Sequence, residues 1–149
     1  MENFTRLAQE ALQKAQEIKD KNRDSELTSL HLLCGVLRAG FETLDAPLRE
    51  AGINPIALSE DAENAIRKLP KVEGAGGEER VSPDLHKVLR GAPVIAKEMG
   101  DSFITVEHVL LSLVERSDMF ELKSVLQKHA LLRADNRLKS KDLIDSLLT

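Results

Sequence analysis

Asp24-Ser25-Glu26-Leu27-Thr28-Ser29-Leu30-His31-Leu32-Leu33 and Asp101-Ser102-Phe103-Ile104-Thr105-Val106-Glu107-His108-Val109-Leu110 are one phrase written twice, 77 residues apart. Asp-Ser, Thr, His and the last Leu coincide. Working outward, residues 4–38 fall without a gap on residues 81–115, with Leu12 on Leu89, Ala15 on Ala92 and Ile18 on Ile95. After one extra residue the register resumes at 78, with Leu48 on Leu126, Ile66 on Ile144 and Leu69 on Leu147. A period this long exceeds any solenoid unit. It predicts two copies of one small helical bundle, with a joint between them at which a partner can bind.

Composition sets the outer bounds. A chain of 149 residues is enough for one compact domain that buries roughly 70% of its unfolded surface. Aromatic residues are 3% and neither Trp nor Tyr occurs, so the core must be built from Leu, Ile, Val and Ala, which suits packed helices. The net charge of −4 leaves no basic footprint for nucleic acid. No apolar run approaches the roughly 20 residues of a membrane span, and the N-terminus lacks a signal-peptide pattern. A single cysteine, Cys34, excludes an internal disulfide and points to a reducing, cytoplasmic setting.

Periodicity and end signals predict eight helices, four per copy. Thr5 caps the first, in which Leu7, Ala11, Ala15 and Ile18 recur at helical spacing. Thr28 or Ser29 opens the second, with Leu33, Val36 and Leu37 inward. A short third covers about 43–51 and stops at Gly52, and Asn54-Pro55 opens a fourth that ends at Leu69-Pro70. Residues 71–80, with three glycines and mixed charge, read as a flexible linker between repeat one (1–70) and repeat two (81–149). Ser82-Pro83-Asp84 opens the fifth helix, and its acid complements the helix dipole. Gly100 stops it. Thr105 caps the sixth, Val106 to Val114. Asp118 with Glu121 reads as a capping box for the seventh, and the eighth runs from about Asp135 to Leu148. Pro93 lies inside the fifth helix, removes the donor to the Leu89 carbonyl, and predicts a kink after Gly91.

Catalytic and metal motifs are missing. Gly74–Gly77 has neither the Lys nor the hydroxyl of a phosphate cradle. No Cys/His spacing suits zinc. His31 and His108 match across the repeat and each begins a helix, so they read as structural helix-start residues. Cys34 lies in an apolar helix with nothing nearby in sequence to activate it, and reads as a buried small side chain.

Several segments resemble the N-terminal domain of the Clp family of ATP-driven unfoldases. They are Phe4-Thr5, Ser29-Leu30-His31-Leu32-Leu33, Gly52-Ile53-Asn54, Ser82-Pro83-Asp84-Leu85 and the Gly100–His108 stretch. The connector Leu69-Pro70-Lys71-Val72-Glu73-Gly74 is similar to that of the ClpB disaggregase branch in particular. The resemblance spans nearly the whole chain. It implies an all-α fold of two pseudo-twofold-related four-helix repeats, and a non-catalytic domain that binds unfolded or aggregated polypeptide and passes it to downstream ATPase modules. Cofactors are implied only for that parent protein, ATP and Mg, together with a hexameric state; this domain itself is expected to be monomeric and to need neither nucleic acid nor membrane. The alternative within the same fold is an adaptor-docking domain of the ClpC or ClpA type.

The resemblance also carries a substrate-binding set: Thr5, Asp101 and Glu107 as polar positions, and Leu89 and Ile104 as apolar ones. His108 stands where such domains can carry an apolar residue, and a groove lined by it would respond to pH near 6–7. Glu107 stands out because Leu30 takes its place in the first copy.

Overall fold

The computed structural model describes residues 3–72, 79–129 and 131, which form seven α-helices. These are α1 (Arg6–Lys21), α2 (Ser29–Ala39), α3 (Phe41–Glu50), α4 (Pro55–Arg67), α5 (Pro83–Glu98), α6 (Val106–Arg116) and α7 (Phe120–Lys128). Extended pairing among the described residues is limited to three isolated bridges. The predicted eighth helix lies outside the described residues.

Two helices make the centre. Every residue of α2 from Ser29 to Leu37 is buried, and so is α6 from Val106 to Val114 apart from Glu107. A helix apolar all round belongs inside a core. α1 packs on α2, α5 packs on α6, and α2 meets α6 at the middle. α4 bridges α2 and α7. The outer helices bury one stripe only: Ala8, Ala11, Ala15 and Ile18 in α1, and Leu85, Val88, Ala92, Ile95 and Ala96 in α5.

The duplication is visible bond by bond. The Thr5 hydroxyl accepts from Ala8 N–H at 3.2 Å, and the Ser82 hydroxyl accepts from Leu85 N–H at 3.1 Å. α1 and α5 end in the same Schellman turn. Arg23 N–H donates to Asp20 C=O and Asp24 N–H to Lys19 C=O; Gly100 N–H donates to Lys97 C=O and Asp101 N–H to Ala96 C=O. Both turns need a left-handed residue, supplied by Arg23 at φ 55° and Gly100 at φ 75°.

The copies also clasp each other reciprocally. Thr5 N–H donates to Ile104 C=O and Ile104 N–H to Asn3 C=O, while Ser82 N–H donates to Leu27 C=O and Leu27 N–H to Arg80 C=O. A shift of 77 converts either pair into the other with its two sides exchanged. Such reciprocity is the mark of a twofold contact, here between halves of one chain.

Several local expectations need correction. Leu7 is exposed, and Ala8 opens the buried stripe instead. α3 begins at Phe41, not 43, because Gly40 serves as the last cap of α2 and the first of α3. α4 ends at Arg67. The Asp118–Glu121 capping box does not form: Met119 is the N-cap of α7, and its N–H goes to the Ser117 hydroxyl at 3.1 Å. Asp118 is drawn off to Lys87 and Lys123. The linker is tied at both described ends, since Val72 N–H reaches Arg23 C=O and Leu27 N–H reaches Arg80 C=O. Pro93 lies within α5, as expected, and stands on its exposed side.

Candidate functional site

The turn between α5 and α6 carries a shallow surface pocket of about 380 Å³ lined by Met99, Asp101, Ser102, Phe103, Thr105, Glu107 and His108. The Schellman turn at Gly100 aims Asp101 into the loop. Thr105 then opens α6 as a capping box: Thr105 N–H donates to His108 Nδ1 at 2.9 Å, and the Thr105 hydroxyl accepts from His108 N–H at 3.4 Å. Because Nδ1 accepts, the network assigns the ring proton to Nε2, which donates to Asp101 Oδ2 at 2.8 Å.

The first repeat builds the same trio. Thr28 N–H donates to His31 Nδ1 at 3.0 Å, and His31 Nε2–H donates to Asp24 Oδ2 at 2.6 Å. Both histidines are therefore helix-start devices, as their places at the beginnings of α2 and α6 indicated. Burial lowers the His31 pKa below its ordinary value, and the Asp24 carboxylate only partly opposes that.

Of the six residues inferred from the resemblance, three line the pocket: Asp101, Glu107 and His108. Asp101 is half-exposed, with side-chain exposure of 47%. Its Oδ1 has no partner among the described residues. The Glu107 side chain, in the first turn of α6, likewise makes no hydrogen bond or ion pair among them. The other three lie outside the pocket. Thr5 is the cap of α1, joined through its N–H to Ile104. Ile104 is buried in the bridge to Phe4. Leu89 is half-buried against the core.

Sequence reasoning missed Met99, Ser102 and above all Phe103, which is 61% exposed. An aromatic side chain inside the polar loop Gly-Asp-Ser was the available signal. It also missed Asp84 as a junction. Asp84 accepts from the Ser29 and Ser117 hydroxyls, each at 2.6 Å, and from Asp118 N–H at 2.7 Å, tying α2 and the α6–α7 turn to the start of α5.

Cys34 is fully buried and its pKa is pushed up to about 12, chiefly by burial, so it stays a thiol. No group of three metal-ligating side chains occurs among the described residues, and no helix among them is long and apolar enough to cross a membrane. A second concavity of about 340 Å³, lined by Leu37, Phe41 and Ile56 among others, lies where α2, α3 and α4 meet. None of the inferred site residues falls there.

An all-helical duplicated fold with a shallow acidic and aromatic recess defines a binding domain. The chain belongs to the Clp repeat (R) N-terminal domain family, whose profile matches residues 3–129. Its sequence is 34% identical over 112 residues to the chaperone protein ClpB of Bacteroides thetaiotaomicron, an alignment covering 75% of this chain and 13% of that protein. The chain thus spans only a small part of the curated relatives it matches. The N-terminal domain of Hsp104 from Candida albicans shares the fold with a TM-score of 0.78 at 20% identity, over 99% of this chain and 90% of that one. A ClpV N-domain solved in complex with a VipB peptide does so with a TM-score of 0.65 at 20% identity, over 99% and 91%.

Proposed function

We propose that this chain is the client-recognition domain of a ClpB-type disaggregase, and that the pocket between α5 and α6 binds unfolded polypeptide. In this reading the parent is a cytoplasmic hexamer that uses ATP and Mg in its ATPase modules, and this domain delivers clients to them. The observation that carries it is the convergence of Asp101, Glu107 and His108 with exposed Phe103 in one recess. An extended, unfolded chain offers apolar side chains for Phe103 and Met99 and cations for the two acids. The recess is shallow, and ordering a disordered chain costs much of what burial gains. Weak, broad binding follows, which suits a domain that must release its clients.

Adaptor docking is the second reading. The ClpV N-domain in complex with one defined peptide favours it. Amide chemical-shift mapping with a permanently unfolded protein separates the two. Shifts are expected at Met99–His108. Burying half a Phe side chain is worth about 1 kcal/mol, so Phe103→Ala is expected to weaken binding about fivefold, with Glu107→Ala smaller. Shifts confined to the Leu37–Phe41–Ile56 surface would move the site, and no binding of any unfolded protein would favour the adaptor reading.

A further inference from the structure

The first repeat already shows its copy of this pocket occupied, by the chain itself. Beyond α4, residues 70–72 run antiparallel to residues 23–25. Ser25 N–H donates to Pro70 C=O at 3.1 Å and Val72 N–H donates to Arg23 C=O at 2.7 Å. That pattern sets Lys71 directly opposite Asp24 as a non-hydrogen-bonded pair, the arrangement in which facing side chains are closest. The Lys71 ammonium reaches Asp24 Oδ1 and also donates to Ile66 C=O at 3.0 Å. Asp24 Oδ2 meanwhile holds His31. The Asp24 side chain is left 1% exposed.

Among the described residues, the second repeat presents the same receptor with no strand paired to it. The shift of 77 puts Gly100, Asp101 and Ser102 on Arg23, Asp24 and Ser25. The turn bonds match, both turns are left-handed, and each Asp holds its His by Oδ2. Yet Ser102 N–H, Gly100 C=O and Asp101 Oδ1, the three groups whose counterparts bind residues 70–72, have no partner among the described residues. Asp101 is correspondingly open, and the 380 Å³ recess lies there. The 78 register sets Thr149 at the place of Lys71, a residue with no cation to offer.

We propose that residues 100–102 receive an extended, lysine-bearing peptide by antiparallel backbone pairing, its ammonium on Asp101, as residues 23–25 receive residues 70–72. This rests on the reading of the pocket as a polypeptide site and adds what the polypeptide must carry. Strand addition gives affinity through the main chain and selectivity through the side chain that faces the pocket. Asp101 Oδ1 takes the ammonium while Oδ2 keeps His108, and Glu107 supplies a second acid beside it. The pairing uses only the carbonyl of the residue before the lysine and only the N–H of the residue after it. A proline is therefore accepted before the lysine, as Pro70 is, and rejected after it.

The chain's own residues 68–73, Lys-Leu-Pro-Lys-Val-Glu, supply the probe as a synthetic peptide blocked at both ends. It would be titrated into the full chain and followed by amide shifts and amide exchange. A dissociation constant on the order of 1 mM is expected for so short a segment, with the Ser102 amide shifted and its exchange slowed. K71Q in the peptide is expected to weaken binding about fivefold. V72P, which removes the N–H for Gly100, is expected to abolish it. Asp101→Asn, whose amide oxygen can still accept from His108, should cost as much as K71Q and add little to it. The proposal is overturned if the parent peptide fails to perturb Ser102, or if K71Q or V72P binds as well as the parent. In that event an unfolded protein that still shifts Met99–His108 leaves the client-recognition reading standing; loss of both signals removes both.

Discussion

His31 has both ring nitrogens in fixed roles, Nδ1 accepting from Thr28 N–H and Nε2–H donating to Asp24. A proton on Nδ1 would face a donor it cannot satisfy. Burial lowers the pKa from the ordinary 6.5; Asp24 opposes this, and Lys71 and Lys19 add to it. The sign follows. The unfolded chain takes up this proton first as pH falls, so the stability from neutral His31 is complete above pH 6.5 and is lost as pH drops through the folded value. The urea midpoint is expected to decline between pH 7.5 and pH 5, and His31→Gln, less stable throughout, to flatten that slope. A wild-type midpoint constant over this range would contradict the assignment. Asp61, held low mainly by His129, and Asp118, held low mainly by Lys87, sit below 3.8 and do not confuse the reading. A different residue-scale cost sits at Gly100, where φ is 75° and a Cβ would meet nothing within 4 Å. Gly100→Ala is expected to lose about 1 kcal/mol, all of it from the left-handed backbone, read as a drop in urea midpoint.

Where helices cross, the two repeats solve one problem differently. A Cβ on Gly35 of α2 would lie 2.1 Å from the Ala11 carbonyl of α1. The matching position in α6 is Ser112, whose hydroxyl donates to the matching carbonyl, that of Val88, at 2.5 Å. That crossing has its own concession in α5, since a Cβ on Gly91 would meet the Ser112 hydroxyl at 2.6 Å and Arg116 Cδ at 2.2 Å. Gly35→Ala is expected to destabilise by about 3 kcal/mol, because backbone must move, against about 1 kcal/mol for Ser112→Ala, which removes a second hydrogen bond from a carbonyl that keeps its helical one. Equal losses in denaturant melts would contradict the close approach. Such elements were legible to different degrees. The 3–4 stripe located α1 and α5 and the Thr caps located α2 and α6, because those signals are local. The start of α3 at Phe41 was not legible, since Gly40 reads as a stop and here serves both helices. The false capping box at Asp118 failed because Lys87, thirty-one residues away, took the acid. In the site, Asp101, Glu107 and His108 came from a motif, whereas the exposure of Phe103 and the edge of residues 100–102, unpaired among the described residues, depend on the fold around them.

At the scale of the whole molecule, the halves are bound by main chain as well as side chains. Thr5 with Ile104, and Ser82 with Leu27, join the start of each outer helix to the other copy's Asp-to-Thr loop. α2 and α6 meet between them, and α2 from Ser29 to Leu37 and α6 from Val106 to Val114 are buried throughout apart from Glu107. Removing either half strips one side of a helix that has no polar face to turn to water. Leu30, Leu32, Leu33, Leu110 and Leu113 are each fully buried, and exposing even part of five Leu side chains costs several kcal/mol at roughly 25 cal/mol per Å². A domain of this size has only about 5–15 kcal/mol of stability to lose. The two halves, 1–72 and 79–149, are therefore expected to lack cooperative thermal transitions when produced separately. Mixed, they are expected to regain helical circular dichroism and melt as one unit. A cooperative melt from either half alone would mean that each bundle is self-sufficient and the seam merely a contact. Co-operation on mixing would mean that the recess at Asp101 exists only when Phe4 clamps Ile104, so that client binding and assembly of the halves share one free energy.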